Sequence, residues 1–339
     1  MSKVKLMFIG LTSSCYSIVL RAQDDSAKVS SFKGSVSMEI NYGPKCLDNK
    51  HATCDFPHFI VNGNADLYNG WSITAEFEYQ RSYSSDGWKN NFQHNFCTNI
   101  LYIRKHFTDA LQLKAGIIDV PVGLTNNGGP ALTIYDPDCE SDLTPLTWHE
   151  AGIGVFGIIG NFDYAISATS YLSYPLNTAE MLGMAARVDY HIIQPLRVGV
   201  SGYIGKSCHG MINRCAPNLF ESSHVHYISL DMDYVNSGFV VDGSAIYCSN
   251  GTSKSVGLEL GYDIMTLSNL LKNKVQFVPF IRYDGVAGKK IDTKNKYTLG
   301  INFSPVRNMM LKAEYAIRNY VSAVTEKILN FSIGYTVNL

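Results

Sequence analysis

Long apolar runs are scarce in this chain of 339 residues. Beyond the N-terminal twenty or so residues, no segment offers the roughly 20 consecutive apolar residues that a spanning helix needs. Charge is also sparse and balanced. Lys and Arg total 28 against 29 Asp and Glu, a formal net charge of -1, so no basic excess points to a nucleic-acid partner. Tryptophan is rare, with 3 residues, and proline is held to 11. A nucleophile elbow, a phosphate-binding loop and a zinc-protease motif are all missing, which removes the commonest sequence marks of an enzyme. No repeat with a period of about twenty to fifty residues is present, and that argues against a propeller or solenoid.

Tyrosine (21) and glycine (28) are plentiful instead. Mean hydropathy is close to neutral. That value excludes a bundle of membrane helices. It does not exclude a barrel, whose apolar outer half is diluted by its polar inner half. Aromatics serve as interfacial girdles in such barrels, and glycines ease strand curvature.

The last thirteen residues carry the clearest pattern. Lys327, Leu329, Phe331, Ile333, Tyr335, Val337 and Leu339 form one face, apolar after its first member. Ile328, Asn330, Ser332, Gly334, Thr336 and Asn338 form the other, small and polar after its first member. Period two means a β-strand between two different environments. About ten alternating residues ending at the C-terminus are the unit of an outer-membrane barrel.

Similar segments recur in pairs around short turns. Phe59 to Leu67 and Trp71 to Gln80 flank Tyr68-Asn69-Gly70, and Asn95 to Phe107 and Leu111 to Val120 flank Thr108-Asp109-Ala110. Ala151 to Ile159 and Phe162 to Leu172 turn at Gly160-Asn161, and Met181 to Ile192 and Pro195 to Gly205 around Gln194. His226 to Val235 and Phe239 to Tyr247 turn at Asn236-Ser237-Gly238. Lys254 to Met265 and Val275 to Asp284 have a longer connection, and Lys296 to Ser304 and Met309 to Asn319 turn at residues 305–308. With an opening strand from Phe32 to Tyr42 and the closing strand, the count is about sixteen. The expected fold is all-β: a single closed antiparallel transmembrane β-barrel over residues 32–339. The other set of connections includes Gly43 to Pro57, Ser82 to His94, Val122 to His149 and Ser207 to Val225. Short turns on one side and long loops on the other is the polarity of such barrels, with the long loops extracellular.

The N-terminus reads as a secretory signal over residues 1–22, followed by a short lead over 23–31. Lys3 and Lys5 precede an apolar stretch from Leu6 to Leu20, and Leu20-Arg21-Ala22 is a passable cleavage site. A lipoprotein signal ending at Cys15 is the alternative, although Thr12 stands where such signals usually place Leu.

Seven of the eight cysteines follow the signal. Cys46 and Cys54 fall in one expected loop and Cys208 and Cys215 in another, so each pair could close a small disulfide loop in an oxidising compartment. Cys97, Cys139 and Cys248 have no evident mates. A metal reading of Cys208, His209 and Cys215 lacks a fourth ligand and a familiar spacing. Neither a metal nor a cofactor is expected.

Pro279-Phe280-Ile281-Arg282-Tyr283-Asp284, then Leu299-Gly300-Ile301-Asn302-Phe303-Ser304-Pro305, then Leu311-Lys312-Ala313-Glu314-Tyr315, resemble the C-terminal strands of the phosphate-selective porin O/P family of Gram-negative bacteria, including the Bacteroides group. Ala115-Gly116-Ile117-Ile118-Asp119-Val120-Pro121-Val122-Gly123 resembles the segment where a strand of that family enters its third loop, with Val122 where the family usually has an aromatic residue. The resemblance implies a sixteen-stranded barrel, an inward-folded third loop and often a homotrimer. It does not carry phosphate selectivity, which needs several cations converging where the anion sheds water.

Alternation assigns Lys114, Arg187, Arg197, Arg282, Lys312 and Arg318 to the inner face. It assigns the acids Glu76, Glu78, Asp189, Asp231, Asp233, Asp242, Glu259, Asp263, Asp284 and Glu314 there as well. The long loop adds Asp136, Asp138, Glu140, Asp142 and Glu150, with no Lys or Arg between Val122 and His149. The first four carboxylates could form an acidic constriction, a calcium loop or a solvated surface. Their spacing is not that of an EF-hand. His149 with Glu150, and His224 with His226, lack a third partner for metal or acid-base work. Trp71, Trp88 and Trp148 read as girdle or loop residues more readily than as sugar-stacking platforms.

The expected function is passive diffusion of small hydrophilic solutes or ions across the bacterial outer membrane, through a lumen narrowed by the loop. The partners would be membrane lipid and those solutes. Two rival readings are a closed barrel serving as scaffold or adhesin and an outer-membrane barrel enzyme.

Overall fold

In the computed structural model, residues 31–44, 52–84, 87–88, 96–129, 131–145, 148–172, 179–206, 224–271, 274–321 and 325–339 are described. The chain begins with β1 (Phe32–Gly43), β2 (Thr53–Asp66), β3 (Trp71–Ser84), the two-residue β4 (Gly87–Trp88), β5 (Phe96–Thr108) and β6 (Leu111–Asp119). It continues with β7 (His149–Ile159), β8 (Phe162–Leu172), β9 (Ala179–Ile193), β10 (Leu196–Gly205), β11 (Val225–Asn236) and β12 (Phe239–Cys248). The last are β13 (Ser253–Tyr262), β14 (Gln276–Ala287), β15 (Lys294–Ser304), β16 (Met309–Tyr320) and β17 (Glu326–Asn338). β4 pairs with the end of β3 and stands apart from the wall. The other sixteen strands pair in sequence order, and β1 closes on β17 from Ser35↔Asn338 to Tyr42↔Phe331. Every neighbouring pair is antiparallel, so the sheet has no open edge, as a wall in hydrocarbon requires.

The burial pattern is inverted relative to a soluble sandwich. Along β13, Ser253, Ser255, Gly257, Glu259 and Gly261 are buried, whereas Lys254, Val256, Leu258 and Leu260 are exposed. Along β17, Asn330, Ser332 and Thr336 are buried while Phe331, Ile333, Tyr335 and Val337 are exposed. An apolar outer face and a polar inner face belong in a bilayer around a hydrated or filled lumen. Aromatic pairs brace neighbouring strands on the outside, among them Phe162–Tyr190 at 4.7 Å and Phe239–Tyr262 at 4.6 Å between centroids. Lys105 lies over Trp71 and Phe107 near the short-turn end, where a cation reaches polar groups along its own stem. The hairpin from β11 to β12 turns on Ser237 and Gly238, both at positive φ, the conformation that a two-residue hairpin demands.

One expected boundary moves. β2 starts at Thr53, so Cys54 is a wall residue in register with Tyr42 on one side and Tyr83 on the other. It carries a free thiol. Cys46, its expected partner, lies outside the described residues, as do Cys208 and Cys215. β6, by contrast, is short. It ends at Asp119, opposite the first residue of β7, and the chain leaves the wall there into a long connection, residues 120–148. Gly116, three residues earlier, sits at φ 139°, where an added Cβ would come within 2.2 Å of the Leu101 carbonyl oxygen. Only glycine allows that backbone approach at the point where the strand begins to leave the wall.

Candidate functional site

The loop of residues 120–148 crosses the barrel interior instead of covering its mouth. Its backbone is tied to inward side chains of seven strands, β14 among them through Asp284, which accepts from the Cys139 N–H at 3.4 Å. The Arg187 Nη1 (β9) donates to the Gly123 carbonyl at 2.8 Å, and Ser201 Oγ (β10) accepts from the Gly123 N–H at 3.2 Å. Glu259 (β13) accepts from the Leu132 N–H at 2.8 Å, and Lys312 (β16) donates to the Thr133 carbonyl at 2.9 Å. Glu314 (β16) accepts from the Ile134 N–H at 2.9 Å, and Asn302 (β15) donates to the Leu132 carbonyl at 3.0 Å. Ser255 (β13) and Tyr227 (β11) donate to the carbonyls of Cys139 and Leu143. A loop in a nearly water-free space must have its peptide groups satisfied, and here the lumen wall does it.

Apolar packing completes the anchorage. Val120, Val122, Leu143 and Trp148 of the loop pack with Ala185, Tyr203, Val225, Tyr227, Ile246, Cys248 and Val286 of the wall. Trp148 is 1% exposed and lies 4.8 Å from the Tyr203 ring centroid and 5.5 Å from that of Tyr227. A second cluster joins Leu132 to Val240, Val278 and Phe280. The half of the lumen bounded by β9 to β15 is thus filled.

The charged wall residues beneath the loop are consumed in closed networks. Arg187 meets Asp189 at 2.7 Å and also Asp231, and all three are buried. Arg197 pairs with Asp233 and stands 3.9 Å from Asp189. Arg282 contacts Asp242 at 3.0 Å, Asp284 at 3.1 Å and Glu259 at 3.4 Å, and its Nη2 lies 3.4 Å from the Cys139 sulfur. Asp138, in the single-turn helix α1 (Asp138–Ser141), receives Lys296 at 2.9 Å, Lys294 at 3.0 Å and Arg318 at 2.9 Å. Burial alone would raise the Asp138 carboxyl, but Lys296, Arg318 and Lys294 together hold it well below the usual range.

These contacts revise the roles drawn from sequence. Arg187, Arg197, Arg282, Lys312, Glu314 and Arg318 all face inward, but they hold the loop or neutralise one another instead of standing as open pore charges. Glu140 is likewise spent inside the loop, accepting from the Leu124 N–H at 3.0 Å and the Thr125 N–H at 2.9 Å. Gly123, at φ 82°, leaves the room that this carboxylate occupies. Asp142 pairs with Lys294 at 2.8 Å, and its burial outweighs that lysine and raises its carboxyl. Cys139 is fully buried, and burial followed by Asp284 pushes its thiol well above the ordinary value.

The opposite wall, β1 to β5, carries a separate acidic group. His58 (β2) stands between Glu39 (β1) at 2.8 Å and Glu78 (β3) at 3.2 Å. Asn99 (β5) donates to Glu78 at 2.8 Å and to Glu76 at 3.2 Å. From the loop side, Asp136 comes under the influence of this group. Burial first, then Glu140, Glu78 and Glu39, push its carboxyl up to about 6. Its neighbour Tyr135 is raised by burial and by Asp55 of β2, so the loop tip reaches the β2 wall. Sequence reasoning missed Glu39, Asp55 and His58; the alternation of β1 would have put Glu39 on the inner face, whereas Asp55 and His58 share that face only through a register shift between them. Among the described residues, no group of three or more His, Cys, Asp or Glu is arranged to hold a metal ion.

No family profile matches the chain. An uncharacterized protein of Aquifex aeolicus (strain VF5) is 22% identical over 329 residues, covering 78% of this chain and 74% of the relative. Among solved structures, OmpF of Salmonella typhi in complex with daunomycin has a TM-score of 0.62 at 9% identity, covering 91% of this chain and 97% of that one. An anion-selective porin from Comamonas acidovorans has a TM-score of 0.56 at 13% identity, covering 92% and 99%. OmpT of Vibrio cholerae in its trimer form has a TM-score of 0.56 at 11% identity, covering 92% and 99%. At such identities the likeness is one of fold, and it does not single out the phosphate-selective porin O/P family. A closed sixteen-stranded wall with an apolar outer belt and the fold of outer-membrane porins is an outer-membrane barrel.

Proposed function

We propose that the chain is a porin that lets small hydrophilic solutes or ions diffuse passively through a lumen narrowed by the loop of residues 120–148, with no catalytic role. The observation that carries this reading is the loop itself. It is built into the interior through side chains of the wall, so that it reduces the cross-section without closing the mouth like a lid. The passage lies between the loop and the β1–β5 wall, where Glu39, Glu76, Glu78 and Asp136 meet His58 and Asn99. Acids outnumber bases there, so the passage favours cations weakly or is nearly unselective. We further propose that residues 1–22 are a signal peptide, that the barrel assembles as a homotrimer, and that Cys208 pairs with Cys215.

Conductance of the purified protein in a planar bilayer tests the reading. Stable steps of current are expected. A second reading has its own support in the filled half of the lumen: a plugged barrel that serves as scaffold or adhesin. Heat-modifiable protein that inserts but carries no current would favour it.

A further inference from the structure

We infer that Asp136 is the one loop carboxylate that sets the ionic preference of the passage, and that Asp138 and Glu140 are positioning residues that fix its width. The inference rests on the channel reading above and assigns different work to residues that look equivalent in sequence.

Four carboxylates stand within seven residues, Asp136 to Asp142. A charge acts on a passing ion when it is neither neutralised nearby nor sealed from water. Asp138 fails on both counts: it is buried and surrounded by Lys294, Lys296 and Arg318. Glu140 is 2% exposed, and both its oxygens accept from the loop's own Leu124 and Thr125. Asp142 is paired with Lys294, and a close pair presents a dipole instead of a charge. Asp136 differs. It is half-buried, and no described residue forms a hydrogen bond or ion pair with its side chain. The charged groups that act on it are acids from three elements: Glu39 of β1, Glu78 of β3 and Glu140 of its own loop. His58 of β2 stands between the first two.

The anchors explain why Asp136 stays where it is. Ile134 is held by Glu314 two residues before it, and Asp138 by three cations two residues after it. Glu140 folds back on Thr125 and fixes the base of the same turn. Lengthening or shortening either anchor moves the loop tip relative to β2 and β3 while leaving the charge count unchanged. Burial first, and then its acid neighbours, make ionisation of Asp136 harder, so its charge is lost as pH falls through about 6 and present above it. Cation preference therefore rises with pH across that window.

The test uses the full chain in planar bilayers under a potassium chloride gradient, at pH 7.5 and pH 5. Heat-modified migration verifies that each variant is folded. For D136N the potassium-to-chloride permeability ratio should fall by about two- to fivefold at pH 7.5, with conductance close to wild type. Most of the difference between the two pH values should vanish with it. D136E should keep both the ratio and the pH response. The charge-conserving variants D138E and E140D should alter conductance and raise current noise while the ratio holds. If D138E fails to fold, E140D carries the comparison. A D136N pore with the wild-type ratio and pH response overturns the assignment of selectivity, and E140D with wild-type conductance and noise overturns that of positioning. A folded wild type that carries no current overturns the channel reading and this inference with it.

Discussion

Replacing Arg282 by Met should cost the barrel more than any other single change on its inner wall. The Arg282 side chain is 2% exposed and serves three carboxylates, Asp242, Glu259 and Asp284, that are themselves buried. Three acidic side chains converge on one guanidinium in a space of low polarity. Met fills much of the volume but leaves those acids without a cation. Breaking a single buried ion pair costs about 3 to 5 kcal/mol, because the abandoned charge keeps its desolvation penalty. A loss of that order is expected here. Two of the acids also hold the loop: Glu259 accepts from Leu132 and Asp284 from Cys139. Loss of stability should therefore come with loss of loop order. The assay is the temperature at which the folded, fast-migrating band disappears in detergent gels, read beside maleimide labelling of Cys139. R282M should lower the first and expose the second. R282K should fall between, since one ammonium cannot bridge three carboxylates as a planar fork does. If R282M melts within about 1 kcal/mol of wild type and Cys139 stays protected, the network is not what secures the loop.

Arg introduced at Leu329, Phe331 or Ile333 should impair membrane insertion by roughly 2 to 4 kcal/mol, while Arg at Asn330 or Ser332 should do far less; equal damage on both faces of β17 in a folding titration would refute the lipid-facing register. W148A empties the centre of the apolar cluster in the lumen. It should destabilise by about 3 to 5 kcal/mol and raise conductance, and an unaltered conductance would mean the filled half stays sealed without it. In the folded protein Cys139 and Cys248, both fully buried, should resist thiol reagents that reach them after boiling, and rapid labelling of either before boiling would contradict the packing described.

The wall was legible because its code is local. Two-residue alternation in β13 or β17 reports the lipid face and the lumen face of the same strand, whatever lies far along the chain. The loop was not legible in that way. Nothing in Asp136-Pro137-Asp138-Cys139-Glu140 says which carboxylate will meet Lys294, Lys296 and Arg318, since those partners arrive from more than 150 residues away. Alternation also treats every inward Arg as a pore charge, and only the fold reveals that Arg187 and Arg282 are already spent. One signal was available and unused. Near the long-loop ends of β10 to β14 the inward positions turn apolar, with Tyr203, Tyr227, Ile246 and Val286 where serines and acids stand deeper in the barrel. An apolar inner face in a pore means that something dry lies against it.

The loop's place inside the wall has a consequence for assembly order. Its contacts join Thr133 to Lys312 and Asp138 to Arg318, across 179 and 180 positions of sequence. The last strand meets the first only after β16 has been added, so the partners of the loop tip are among the final pieces to arrive. Contacts of such long separation are slow to form, since the chain must be gathered before they reward it. A closed cylinder would hinder the entry of a segment carrying Trp148, Leu132 and four carboxylates. The loop must then lie within the curving sheet before β17 seals against β1, and the last strands close around it as around a template.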